Sequence, residues 1–191
     1  TYRVTDVLGN STTSTLTPIV PEPPVVANDE KIDAWDTNQI FSPFANDTFA
    51  SVAPVVLSSL KLCGKGQQPG SCTRMVLSVD NEGPYTVNAD GTVTFDPLST
   101  FHGAATPVTY QATDIAGQIL HATIHPIVTP PPIPEAQDDA ASAKQGRSVV
   151  LSPWLNDFAG TPPENVGGKI SLIPGSIRLC GVGETPPNCT L

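Results

Sequence analysis

Methionine occurs once in 191 residues, aromatic side chains make up 6% and charged side chains 14%. Scarcity of helix-favouring residues beside 21 Pro and 15 Gly argues against a helical fold. Basic residues are few: 9 Lys and Arg against 18 Asp and Glu give a net charge of −9, which repels phosphate backbones and excludes nucleic-acid binding. No run of 18 apolar residues exists, so no segment spans a membrane as a helix, and Thr1-Tyr2-Arg3-Val4 lacks the charged, apolar and small-residue zones of a signal peptide. Also missing are a Gly-x-Ser-x-Gly elbow, a His-Glu-x-x-His pair and a Gly-rich phosphate loop. No catalytic residue is therefore expected, and the chain reads as a non-enzyme. Pro and Gly together stay below the roughly 25–30% at which disorder becomes the default, so a folded, strand-rich chain of one or two domains is predicted.

What is present is repetition. Tyr2-Arg3-Val4-Thr5-Asp6-Val7-Leu8-Gly9 returns as Tyr110-Gln111-Ala112-Thr113-Asp114-Ile115-Ala116-Gly117, displaced by 108. Ala27-Asn28-Asp29-Glu30 matches Ala136-Gln137-Asp138-Asp139 at 109, and Ser42-Pro43-Phe44-Ala45-Asn46-Asp47 matches Ser152-Pro153-Trp154-Leu155-Asn156-Asp157 at 110. Leu62-Cys63 and Cys72-Thr73 match Leu179-Cys180 and Cys189-Thr190 at 117, which places a seven-residue insertion around Gly160 to Ile170. A period near 110 is that of a whole sandwich domain and too long for a solenoid unit. The expected organisation is the C-terminal strands of one repeat at 1–22, a complete repeat at 23–130 and the N-terminal half of a third at 131–191. Both termini then read as edges cut from a longer array.

Within each repeat the pattern is that of short strands. Tyr85-Thr86-Val87-Asn88 and Thr92-Val93-Thr94-Phe95 flank Ala89-Asp90-Gly91, a hairpin signal. A second turn at Ile115 to Gln118 separates Val108–Ala112 from Leu120–Ile124, and Ser148-Val149-Val150-Leu151 is a further β-branched run. The predicted fold class is all-β: tandem immunoglobulin-like β-sandwich repeats. Pro18, Pro21, Pro23 and Pro24, and again Pro126, Pro130, Pro131, Pro132 and Pro134, mark Pro-rich linkers of extended polyproline type.

The cysteines form two pairs of equal spacing, Cys63 with Cys72 and Cys180 with Cys189, one in each repeat. Eight intervening residues do not fit a zinc site, so local disulfides are expected, with reduced buried thiols and an inter-repeat bridge as the alternatives. Paired cysteines point to an oxidising, extracellular setting. His121 and His125 share a strand face and correspond to Thr13 and Thr17, so they are read as solvated polar residues and no metal is assigned to them; His102 has no partner in the sequence. Asn88-Ala89-Asp90-Gly91 resembles the centre of an EF-hand loop only faintly, because Thr86 and Pro97 would stand at ligand positions. Asn-x-Thr sequons occur at Asn10, Asn46 and Asn188, and Lys31, Lys61 and Lys144 are the lysines considered for pilin-like cross-links.

Ala27-Asn28-Asp29, Ala45-Asn46-Asp47-Thr48, the stretch from Tyr85 to Pro97, Phe101-His102-Gly103 and the stretch from Pro107 to Gly117 together resemble the CshA-type fibril repeat of bacterial surface adhesins. The resemblance spans nearly all of the complete copy. It implies a non-enzymatic fibril module outside the cell, attached to the cell surface, whose partners are neighbouring repeats, with host surfaces or other bacterial cells reached through a distal adhesive domain. The alternative is a repeat that itself binds host protein or glycan. Related cadherin-like repeats would allow calcium at the acidic positions Asp29, Asp47 and Asp114, echoed by Asp6, Asp138, Asp139 and Asp157. Turn capping by these side chains is the preferred reading, and no cofactor is assigned.

Overall fold

The computed structural model describes residues 1–20, 22–49, 53–160 and 171–189. Eleven strands and one 3-10 turn occur among them, and no α-helix. The hairpin of β1 (Tyr2–Thr5) and β2 (Ser11–Ser14) stands alone as a two-stranded sheet. Residues 29–128 form two further sheets. One has the order β3 (Asp29–Asp33), β11 (Ile119–Val128), β10 (Val108–Asp114), β5 (Val55–Leu62), with the short β9 (Gly103–Ala104) also on β11. The other runs β4 (Gln39–Phe41), β8 (Val93–Phe95), β7 (Gly83–Val87), β6 (Val76–Val79). All pairings are antiparallel except β3 with β11, the first and last strands of the unit.

Alternation explains the layers. Along β7 the buried positions are Gly83, Tyr85 and Val87, and along β10 they are Val108, Tyr110, Ala112 and Asp114, so each strand sends every second side chain into one core. Tyr85 and Phe95 face each other across β7 and β8 with ring centroids 4.6 Å apart. From the opposite sheet Leu60, Leu62, Tyr110, Leu120 and Ile124 meet them, all buried. Gln39 is a polar member of this core: its Nε2 donates to the Ile127 carbonyl at 2.9 Å and ties the edge of one sheet to β11 of the other.

The predicted hairpin at 85–95 is present, but only Gly91 adopts positive φ (83°). A type I turn closed by Gly91 N–H donating to the Asn88 carbonyl is followed by one left-handed residue, the three-residue variant of the hairpin loop. The turns Asp6–Asn10 and Asp114–Gln118 share that construction. In each the glycine N–H (Gly9, Gly117) bonds the aspartate carbonyl, and the aspartate Oδ1 accepts the N–H at the turn's end at 2.8 Å. Even the strand registers correspond, Thr5 opposite Ser11 and Thr113 opposite Ile119.

Three expectations are corrected. Pro126 belongs to β11, opposite Lys31, and its carbonyl accepts the Ala105 N–H. It is tolerated because pairing with β10 ends at Ile124, where a missing N–H ceases to matter. Ser148–Leu151 forms no strand. Its counterpart in the complete unit, around β4, pairs with β8, and no counterpart of β8 follows within the 191 residues. Finally, the one-residue slip inferred at Ala27–Glu30 is absent. The bridge Val25–Thr48 returns as Glu135–Phe158, 110 residues on at both ends, so Asp138 corresponds to Asn28 and Asp139 to Asp29. Pro21 and the insertion expected up to Ile170 fall on residues outside those described.

Candidate functional site

Two places carry concentrated polar chemistry: the disulfide loop and the end of the domain where the chain enters β3. Cys63 lies just beyond β5 and is bonded to Cys72, with Cα atoms 4.3 Å apart. Between them, Gly64 N–H donates to Gln67 Oε1 at 2.7 Å, and Gln67 Nε2 donates to the Ser71 carbonyl and to Thr73 Oγ1. Gln111, on the outer face of β10, accepts from the N–H groups of Gly70 (2.6 Å) and Cys72 (3.1 Å), fastening the loop to the sheet. Cys180 and Cys189 are likewise bonded, and Gly181 N–H donates to Glu184 Oε2 at 2.8 Å where the first loop has Gly64 and Gln67. Replacing Cys63 and Cys72 together with Ala is expected to cost about 2–3 kcal/mol of unfolding free energy in the chain-entropy model, measured by urea denaturation.

Beside the first loop runs an open cleft of about 460 Å³, walled by Gly64, Lys65 and Gln67, by Val79 and Asp80 at the end of β6, and by Thr106 to Thr109. Its lining includes no aromatic ring and brings one cation, Lys65, and one anion, Asp80. The outer edge of β6 borders it, since β6 pairs within its sheet only with β7.

Where the chain enters β3 it is stitched in by side chains. Ala27 N–H donates to Asp47 Oδ1 at 2.9 Å, Asn46 Nδ2 to the Asn28 carbonyl at 3.1 Å, and Thr123 N–H of β11 to Asn28 Oδ1 at 3.0 Å. The first recurs as Gln137 N–H to Asp157 Oδ1 at 2.8 Å. Beneath them Tyr110, fully buried, donates its hydroxyl to the Pro43 carbonyl at 3.0 Å and meets Phe44 edge-on. Burial pushes the Tyr110 hydroxyl well above the usual phenol range, with the charges of Asp29 and Asp47 acting in the same direction.

Asp6, Asp47, Asp114 and Asp157 thus cap backbone N–H groups, as the preferred reading expected. Asp29 does not, and its burial was not legible beforehand. Asn88 and Asp90 spend their polar groups within the hairpin: Asn88 Nδ2 donates to Thr92 and Thr94, and Asp90 Oδ1 accepts from Thr92, which holds the Asp90 carboxyl below its ordinary range. His121 is exposed opposite Gln111, and His125 Nδ1 lies 3.1 Å from Glu30 Oε2. Lys31 pairs with Asp33, and Lys61 lies on backbone carbonyls and Met75, so neither addresses an asparagine. Of the sequons, Asn10 is bonded to Asp6 and Asn46 to the Asn28 carbonyl. No group of three or more His, Cys, Asp or Glu among the described residues could hold a metal ion.

No individually curated protein matches the chain. A family model described as the surface adhesin CshA repetitive domain matches residues 31–128, from within β3 to the last residue of β11.

Proposed function

Since the chain belongs to the family of surface adhesin CshA repetitive domains, we propose that it is a stalk segment, in which tandem sandwich repeats joined by Pro-rich spacers carry a distal adhesive domain away from a bacterial cell. The observation that supports this most directly is the recurrence of structural detail. A hairpin with the same register and the same Asp-capped turn returns after 108 residues, and a bridge with the same aspartate-to-N–H bond beside it returns after 110. A unit that repeats its own ends in this way is suited to linear arrays, because each copy presents its successor with the same surroundings. Two disulfides fit deployment outside the cell. Small-angle scattering on chains of two, three and four repeats tests the reading. The maximum dimension is expected to grow in proportion to repeat number, and a compact envelope would refute the stalk.

One observation favours a second reading, a repeat that binds host protein or glycan: the cleft between the fastened disulfide loop and the open edge of β6. The loop on one side of it is fastened by the Cys63–Cys72 disulfide and by Gln111, which lowers the ordering cost of binding. A panel of glycans and matrix proteins presented to the domain discriminates the two, since a spacer gives no saturable signal.

A further inference from the structure

Asp29 stands apart from the other recurring acids. It is 9% exposed, accepts no backbone N–H among the described residues, and its Oδ2 has no partner. Oδ2 of Asp47 is equally enclosed and unpartnered. Two ionised carboxylates placed this way repel one another with their inner oxygens unsatisfied, which is costly in a region of low dielectric. The Tyr110 hydroxyl gives its one hydrogen to the Pro43 carbonyl and leaves the inner oxygens of the two carboxyls without a donor.

We propose that Asp29 and Asp47, whose inner oxygens are buried without partners where the chain enters β3, form a proton-holding carboxyl pair, with Asp29 protonated in the folded domain under mildly acidic conditions. The groups facing it are few. The 42–48 loop contributes Asp47 and β10 contributes Tyr110, while on β3 itself Glu30 is engaged with His125 of β11 and Lys31 with Asp33. No cation figures among the influences on the Asp29 carboxyl. Burial pushes that carboxyl up to about 6, opposed by the Tyr110 bond and assisted by the Asp47 charge. Burial likewise raises Asp47, against the Ala27 N–H that lowers it. Between the ordinary value of 3.8 and about 6 the folded chain binds more protons than the unfolded one. Stability is therefore greatest on the acid side of that window and declines as pH rises through about 6. Asp47 also holds the Ala27 N–H, so the pair sits where the preceding segment is anchored. The inference stands independently of the stalk reading.

A carboxyl-carbon NMR titration of the whole chain, treated with chelator, combined with thermal melts at pH 5 and pH 7.5, tests it. Asp29, assigned by the loss of its signal in Asp29→Asn, is expected to titrate with a midpoint near 6. The melting temperature should be several degrees higher at pH 5. Asn at position 29 is a permanently neutral donor, so Asp29→Asn should remove most of that difference, whereas His125→Gln, a control for the His125–Glu30 pair, should leave it in place. An Asp29 midpoint in the ordinary carboxylate range would overturn the proposal. So would calcium chloride, added to the chelator-treated protein, shifting both carboxyl signals stoichiometrically and abolishing the pH dependence, since the pair would then be a cation site. If Asp29→Asn fails to fold, assignment through Asp47→Asn and the titration of the unaltered chain still decide.

Discussion

Gly83→Ala is expected to cost about 4 kcal/mol and to leave much of the chain unfolded at 37 °C, read as a lost cooperative melt in circular dichroism. Gly83 opens β7 at φ 147°, a conformation that side chains with a Cβ rarely adopt. An added methyl would be driven into the Asp96 carbonyl oxygen and would stand 3.1 Å from Pro97 Cα. Both obstacles are backbone, so no rotamer change relieves them. Their displacement would propagate to two hydrogen bonds, Asp96 N–H to the Pro84 carbonyl and Leu98 N–H to the Glu82 carbonyl, which hold the end of β8 beside β7. Gly117→Ala is the matched control. It also has positive φ, 80°, but nothing lies within 4 Å of the added carbon, so about 1 kcal/mol of conformational strain is expected there.

Tyr110→Ala ranks beside it, at about 3–5 kcal/mol by chemical denaturation. The side chain is fully buried and touches Phe44 with ring centroids 6.1 Å apart, so truncation opens a cavity where the two sheets meet the 42–48 loop. Tyr110→Phe separates packing from hydrogen bonding. It keeps the ring but leaves the Pro43 carbonyl without its donor, at an expected cost of about 1–2 kcal/mol. If Phe and Ala at this position destabilised equally, the packing account would fail.

How much of this could be read from the sequence depends on how far away the deciding partner lies. The β7–β8 hairpin was legible because its turn residues and its alternating strands lie within eleven residues, Tyr85 to Phe95. The β10–β11 pair was legible for the same reason, and its repetition at residues 2–14 strengthened it. Gln39 was missed: in Gln39-Ile40-Phe41 the apolar Ile40 faces solvent and the amide faces inward, a choice set by a carbonyl 88 residues away. Pro126 was misassigned because a proline cluster looks alike whether its first member ends a strand or begins a linker, and only the limit of β10 pairing separates the two. The acidic residues split similarly. Those that cap local turns follow from Asx-turn chemistry, whereas the Asp29 carboxyl is buried and is acted on by Tyr110, 81 positions downstream. The family resemblance rested on Ala27-Asn28-Asp29, on Ala45-Asn46-Asp47-Thr48 and on stretches between Tyr85 and Gly117, and the matched region of 31–128 contains all of these but the first.

The parallel alliance of β3 with β11 sets how the domain would meet tension. The chain enters at Asp29 and leaves at Val128, and because the two strands run the same way, pulling the ends apart slides one strand along the other. Five register pairs, from Asp29–Ile124 to Asp33–Val128, then lie along the line of force and are loaded together, whereas an antiparallel pairing of the same strands would peel open one bond at a time. Rupture in shear must break the row at once. The side-chain bond between Asn28 and the Thr123 N–H extends that row by a further rung at the end where the load arrives.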